Sequence, residues 1–78
     1  MSFSEEIKSV RMKAFLSQVS FAEVLHVSFS SVNRWENNKG KPNLSTMREI
    51  KAFCIAHDLP YDNLEIEWIG NSTKEKNY

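Results

Sequence analysis

Residues 16–43 run LSQVSFAEVLHVSFSSVNRWENNKGKPN, and this stretch restricts the possible folds more than any other part of the chain. Ser17 and Ser28 each stand directly before a short run of apolar residues at helical spacing. A serine there accepts a hydrogen bond from an otherwise unpaired N–H of the first helical turn. The first run predicts a helix from about Gln18 to Leu25, with Phe21, Ala22 and Leu25 facing inward. The second predicts a helix from about Phe29 to Asn37, anchored by Val32 and Trp35, three residues apart. Little but His26 and Val27 separates them, so the join is a tight turn. Asn38-Lys39-Gly40-Lys41-Pro42 then breaks the helix, because Gly permits positive φ and Pro is excluded from a helix interior.

The flanks extend the pattern. A helix from about Ser4 to Phe15 is expected, with Ser2 and Glu5 spaced as a capping box, Ser4 as a competing cap, and Ile7, Val10 and Ala14 on one face. Asn43 caps a helix from about Leu44 to His57, with Leu44, Met47, Ile50 and Cys54 at helical spacing. Asp58-Leu59-Pro60 ends it, and Pro60 suits the opening turn of a fifth helix carrying Tyr61, Leu64 and Trp68 to Gly70. The alternation Glu65-Ile66-Glu67-Trp68-Ile69 equally fits a short strand, and both readings stand. The expectation is all-α: a compact bundle of five short helices over residues 1–70, with residues 71–78 a polar, flexible tail.

The 78 residues suffice for one domain, and a single cysteine, Cys54, leaves no internal disulfide and no cysteine-rich zinc site. His26 and His57 lie far apart in sequence and form no HxxxH pattern, so no metal is expected. Neither a nucleophile–base pair nor a phosphate-cradling glycine loop stands out, which predicts no enzyme and no cofactor. No apolar run approaches the roughly 20 residues that span a bilayer. The acidic start MSFSEE is unlike a signal peptide, which predicts a cytoplasmic protein.

Charge is neutral in sum but not in place. Residues 28–48 carry Arg34, Lys39, Lys41 and Arg48 against Glu36 alone, while residues 49–78 carry three bases against six acids. On a helical wheel with Phe29 at zero, Val32 and Trp35 fall near about 300° and 240°, whereas Asn33, Asn37, Ser30 and Arg34 fall near about 40°, 80°, 100° and 140°. One face is anchored; the other offers two amides, a hydroxyl and a guanidinium. A B-DNA major groove admits one α-helix, where Asn bridges adenine and Arg bridges guanine. Ser28, Phe29, Ser30, Asn33, Arg34 and Asn37 are therefore the candidate base readers. Phe29, at the edge of the two faces, either touches a thymine methyl or packs sideways into the core. Ser17 and Gln18 at a helix N-terminus, Lys39 and Lys41 on the loop, and Asn43 at the next N-terminus are the candidate phosphate contacts.

The ordered set Arg11, Leu16-Ser17-Gln18, Phe21-Ala22, Leu25, Val27-Ser28, Val32, Arg34-Trp35-Glu36, Gly40, Lys41-Pro42 and Leu44 resembles the Cro/CI-type helix-turn-helix family, also called XRE or lambda-repressor-like. The similarity covers about residues 5 to 64. It implies that Gln18 contacts phosphate and that Ser28, Phe29, Ser30, Asn33 and Asn37 enter the major groove. It also implies an ion pair between Arg11 and Glu36. Three positions depart from the family pattern: His26 and Phe15 stand where glycine is usual, and Ser20 where glutamate is frequent.

The leading expectation is a sequence-specific regulator of double-stranded DNA, a prokaryotic or phage repressor acting by promoter occlusion. Tyr61, Leu64, Ile66, Trp68 and Ile69 form an aromatic-rich acidic patch suited to a homodimer contact. The competing expectation keeps the frame but gives the acidic C-terminal third to a protein partner, as an antitoxin-like adaptor.

Overall fold

The computed structural model describes residues 2–75, with side chains described for residues 2–70. Five helices and no strand occur among these residues: α1 (Phe3–Lys13), α2 (Gln18–Leu25), α3 (Phe29–Glu36), α4 (Leu44–Ala56) and α5 (Asp62–Glu75). Each of the first four opens on a short polar side chain. Ser2 caps α1 in a full capping box with Glu5, Ser17 caps α2, Ser28 caps α3 and Asn43 caps α4. Such caps contribute about 1 kcal/mol each by satisfying a free N–H. Ser2, not Ser4, opens α1, and the two residues gained bring Phe3 into the core.

The same four helices also close alike. In each, an N–H two or three residues past the last helical residue reaches back five positions: Leu16 to Arg11, Val27 to Ala22, Lys39 to Arg34 and Leu59 to Cys54, at 2.8–3.2 Å. The preceding residue is left-handed each time: Phe15 (φ 60), His26 (φ 61), Asn38 (φ 61) and Asp58 (φ 56). This is the Schellman closure, which satisfies the last carbonyls. Leu16, Val27 and Leu59 then pack against the core. The closure at Phe15 stops α1 at Lys13, short of the expected end, and similar terminations put Asn37 and His57 at C-caps rather than inside α3 and α4.

Left-handed φ costs an L-residue about 1–2 kcal/mol, against which glycine's extra unfolded-state entropy is about 0.5–1 kcal/mol. Phe15 is 94% exposed and His26 is also exposed, so neither has much packing to lose. Phe15→Gly and His26→Gly are each expected to stabilise by roughly 0.5–1 kcal/mol, raising Tm by about 2–8 °C in a thermal melt. Unchanged or lower Tm values would show that these joints are not strained.

The core comprises Phe3, Ile7 and Val10 from α1, Phe21, Ala22 and Leu25 from α2, Val32 and Trp35 from α3, Ile50, Phe53 and Cys54 from α4, and Leu64 from α5. On α4 the buried face is rotated from the expected stripe. Leu44 is 57% exposed, and Phe53 takes its place inside, edge-on to Phe21 at 5.4 Å. Burial pushes the Cys54 thiol up to about 11, so it stays neutral at ordinary pH.

Residues 65–69 are helical, which resolves the strand alternative, and α5 runs on to Glu75, past the Gly70 boundary set from composition. Residues 76–78 of the expected tail lie outside the described residues. The α5 helix packs on α1 and clamps the loop between α3 and α4: the Trp68 indole Nε1 donates to the Pro42 carbonyl (2.8 Å), and Lys41 Nζ donates to the Glu67 carbonyl (3.0 Å). Among the described residues, no helix is long and apolar enough to cross a membrane.

Candidate nucleic-acid interface

The turn between α2 and α3 sets the site. His26 adopts φ 61, ψ 39, the left-handed geometry that glycine usually supplies, and Val27 tucks inward so that Ser28 can open α3. Val32 and Trp35 hold α3 from beneath, at 0% and 6% exposure. Ser28, Phe29, Ser30, Arg34 and Asn37 are exposed on the helix, and Asn33 is half-buried. Phe29, at 49% exposure, is not a core residue, so its ring remains available to a groove.

The Arg11–Glu36 pair forms and braces α1 against α3. Arg11 Nε donates to Glu36 Oε2 at 2.7 Å and Nη2 to Oε1 at 3.0 Å, while Nη1 donates to the Leu16 carbonyl at 2.8 Å. The side chains are 13% and 4% exposed, so this is a desolvated pair with every short contact satisfied. The hydrogen bond to Glu36 raises the Arg11 pKa further above its ordinary value, and the coulombic attraction adds to it against the cost of burial.

Glu36 also binds Gln18. Its Oε1 accepts from Gln18 Nε2 (3.0 Å), Gln18 Oε1 accepts from Asn33 Nδ2 (3.2 Å), and Asn37 Nδ2 donates to Asn33 Oδ1 (3.0 Å). The structure thus joins the phosphate candidate Gln18 to two base-reading candidates. No sequence signal gives this link, because residues 15 and 18 positions apart on different elements share no periodicity.

Other candidates lie elsewhere. Arg34 turns back along its own helix end, Nη2 donating to the Lys39 carbonyl at 3.3 Å, while the Lys39 N–H donates to the Arg34 carbonyl at 2.8 Å. A Cβ at Gly40 would lie 3.4 Å from Arg34 Nη2, an ordinary van der Waals distance. Lys39 itself is exposed. Lys41 is half-buried, with its ammonium on the Glu67 carbonyl and over the Phe3 ring at 5.7 Å. Ser17 and Asn43 are exposed, and their side-chain oxygens accept from Ser20 N and Thr46 N. A polar cleft of about 400 Å³ separates α3 from α4, lined by Ser28, Ser31, Arg34, Asn43 and Thr46 among others.

The proposed dimer patch is divided by the fold. Leu64 is only 2% exposed and packs inside its own chain, so it has no surface to offer a partner, contrary to the expectation from spacing. Tyr61 and Trp68 are half-buried, Tyr61 beneath Lys51 Nζ at 5.1 Å, and Ile66 and Ile69 are 61% and 46% exposed.

Comparison with known proteins agrees with this geometry. No solved structure gives a significant match. The chain is 36% identical over 53 residues to the HTH-type transcriptional activator BcrR of Enterococcus faecalis, covering 68% of this chain. The matched region spans 26% of that protein's length. The profile described as helix-turn-helix matches residues 7–54, from the middle of α1 to near the end of α4. With its cap-turn-cap geometry and braced third helix, the chain belongs to the Cro/CI-type helix-turn-helix family of DNA-binding transcription-regulator domains.

Proposed function

We propose that this domain reads a specific double-stranded DNA sequence, with α3 in the major groove, and so regulates transcription. The observation that carries the reading is the polar, exposed face of α3 opposite a buried Val32–Trp35 face, next to the segment holding the chain's excess of bases. The N-termini of α2 and α4 offer backbone N–H groups to phosphate, with Ser17, Gln18 and Asn43 beside them. Lys39 is the loop cation with a side chain turned to solvent; Lys41 contributes to phosphate only if it leaves the Glu67 carbonyl. Selection from a random duplex pool, followed by titration at several salt concentrations, is expected to yield a discrete motif. Lys39→Ala should weaken all sequences alike and flatten the log–log salt slope by about 0.9. Weak binding with no selectable sequence would overturn the reading in favour of a protein-binding role.

The direction of regulation has two supported forms. A bound domain occludes a promoter that overlaps its site, which gives repression. The relative from E. faecalis is named as an activator, which favours activation from an upstream site. A reporter carrying the selected motif either over or upstream of the promoter separates them.

We further propose that two copies bind together, their α3 helices meeting successive major grooves about 34 Å apart. Ile66 on α5 and Leu44 on α4 are large apolar residues left exposed, at 61% and 57%. Ile66→Glu is expected to shift sedimentation from dimer to monomer and to lower affinity for a two-half-site operator while sparing a half-site. A wild-type chain that sediments as a monomer both free and on the full operator would exclude the pairing.

A further inference from the structure

Glu36 heads a chain of side-chain amides that ends on the exposed face of α3. Both oxygens of its carboxylate accept guanidinium bonds from Arg11, and carboxylate oxygens only accept hydrogen bonds. Gln18 must therefore turn its amide nitrogen toward Glu36, as it does at 3.0 Å. That leaves Gln18 Oε1 facing Asn33, so Asn33 must present its nitrogen in turn, at 3.2 Å. Asn33 Oδ1 then faces Asn37, whose Nδ2 donates to it at 3.0 Å and to the Asn33 backbone carbonyl at 2.8 Å. An isolated amide can flip at little cost. Here each orientation is dictated by the one before, and the carboxylate sets the sense of all three.

The far end of this chain has a defined character. Both contacts of the Asn37 amide nitrogen run back to Asn33, and Asn37 Oδ1 has no donor among the described residues. A free asparagine bridges adenine by accepting from N6 and donating to N7. Asn37, held this way, offers an acceptor alone. In the major groove an acceptor pairs with an exocyclic amine, adenine N6 or cytosine N4, and is opposed by the keto oxygens of guanine O6 and thymine O4.

Building on the DNA-reading function above, we propose that the Glu36-anchored amide chain fixes the hydrogen-bond sense of the reading face. Asn37 then selects amino bases (adenine or cytosine) over keto bases, with Glu36 and Gln18 as positioning residues for that choice. The discrimination is by class of base edge, and it originates at a carboxylate three side chains away from the DNA.

The test measures affinity for the selected site with each of the four bases at the position that Asn37→Ala desensitises. Wild type should bind A and C within about 3-fold of each other and G and T about 10-fold or more weaker, within the range of one good base contact. Gln18→Met removes the middle link without touching the Arg11–Glu36 pair. It should lower affinity on every sequence and also reduce the amino-over-keto ratio, with A gaining on C as Asn37 becomes free to bridge adenine. In an Asn37→Ala background, Gln18→Met should leave the base profile unchanged. A uniform loss with an unaltered profile in Gln18→Met, or a wild-type preference for A over C as strong as for A over G, overturns the inference while leaving DNA reading intact. A chain that selects no sequence overturns both.

Discussion

Glu36→Ala is expected to cost about 3–5 kcal/mol, the penalty for leaving one member of a desolvated ion pair without its partner. A domain of this size has roughly 4–12 kcal/mol of stability in total, so the loss amounts to about a quarter of it or more. The reason lies in what remains after truncation. Arg11, 13% exposed, keeps only the Leu16 carbonyl as acceptor, and Gln18 Nε2 loses its partner. Urea denaturation followed by circular dichroism measures the loss. Replacing both partners together, Arg11→Met with Glu36→Leu, should recover most of the stability, because two apolar side chains carry no desolvation penalty. A Glu36→Ala loss below about 1 kcal/mol would place the pair with ordinary surface ion pairs instead. The pH dependence follows from sign. Arg11 has its pKa raised in the fold, so its contribution is complete below the unfolded value and declines only as pH climbs through the higher folded value. From the arginine side, the pair is therefore constant through the neutral range.

Phe21→Ala should be comparably severe, at about 3–5 kcal/mol, through lost transfer energy and an incompletely collapsed cavity. Phe21 is fully buried, the largest such side chain among the described residues, and joins α2 to α4 through its edge contact with Phe53. Phe21→Leu, with less volume removed, should cost much less. A double-mutant cycle with Phe53→Leu isolates the aromatic contact, expected at about 0.5–1.5 kcal/mol. Phe21→Ala losing less than about 2 kcal/mol would mean the α2–α4 seam repacks, contrary to a core that encloses Ile7, Phe21, Val32, Ile50 and Cys54 completely.

Features confined to one helix were readable from the sequence, and features between helices were not. Ser17, Ser28 and Asn43 cap as expected because a cap needs only its own first turn. Phe21, Ala22, Leu25, Val32 and Trp35 are buried as expected because each set lies on one side of its own helix. On α4, Leu44 and Phe53 are both large and apolar, and the position of α2 decides which is covered. Leu64 gave the same difficulty: its spacing fits a partner-facing stripe as well as an inward one, and only the approach of α5 to α1 settles it. Arg34 and Lys41 looked like free cations, and their carbonyl partners become visible only once the loop is folded. The wheel placed Asn33 and Asn37 on one face, but gave no indication that Gln18 and Glu36 orient them.

The four helix endings differ at one place. Three of them turn an apolar side chain, Leu16, Val27 or Leu59, under the body of the protein, and the fourth puts Lys39 there, in solvent. The backbone at that position is fixed by the Lys39–Arg34 bond between main-chain atoms, which any residue except proline can make. Position 39 is therefore a socket: its direction is set by the joint, and its chemistry is open to exchange. On the phosphate role proposed for Lys39, grip on DNA would be retuned at this residue, where charge, length or hydrogen-bonding character can be changed while the frame is left as it stands.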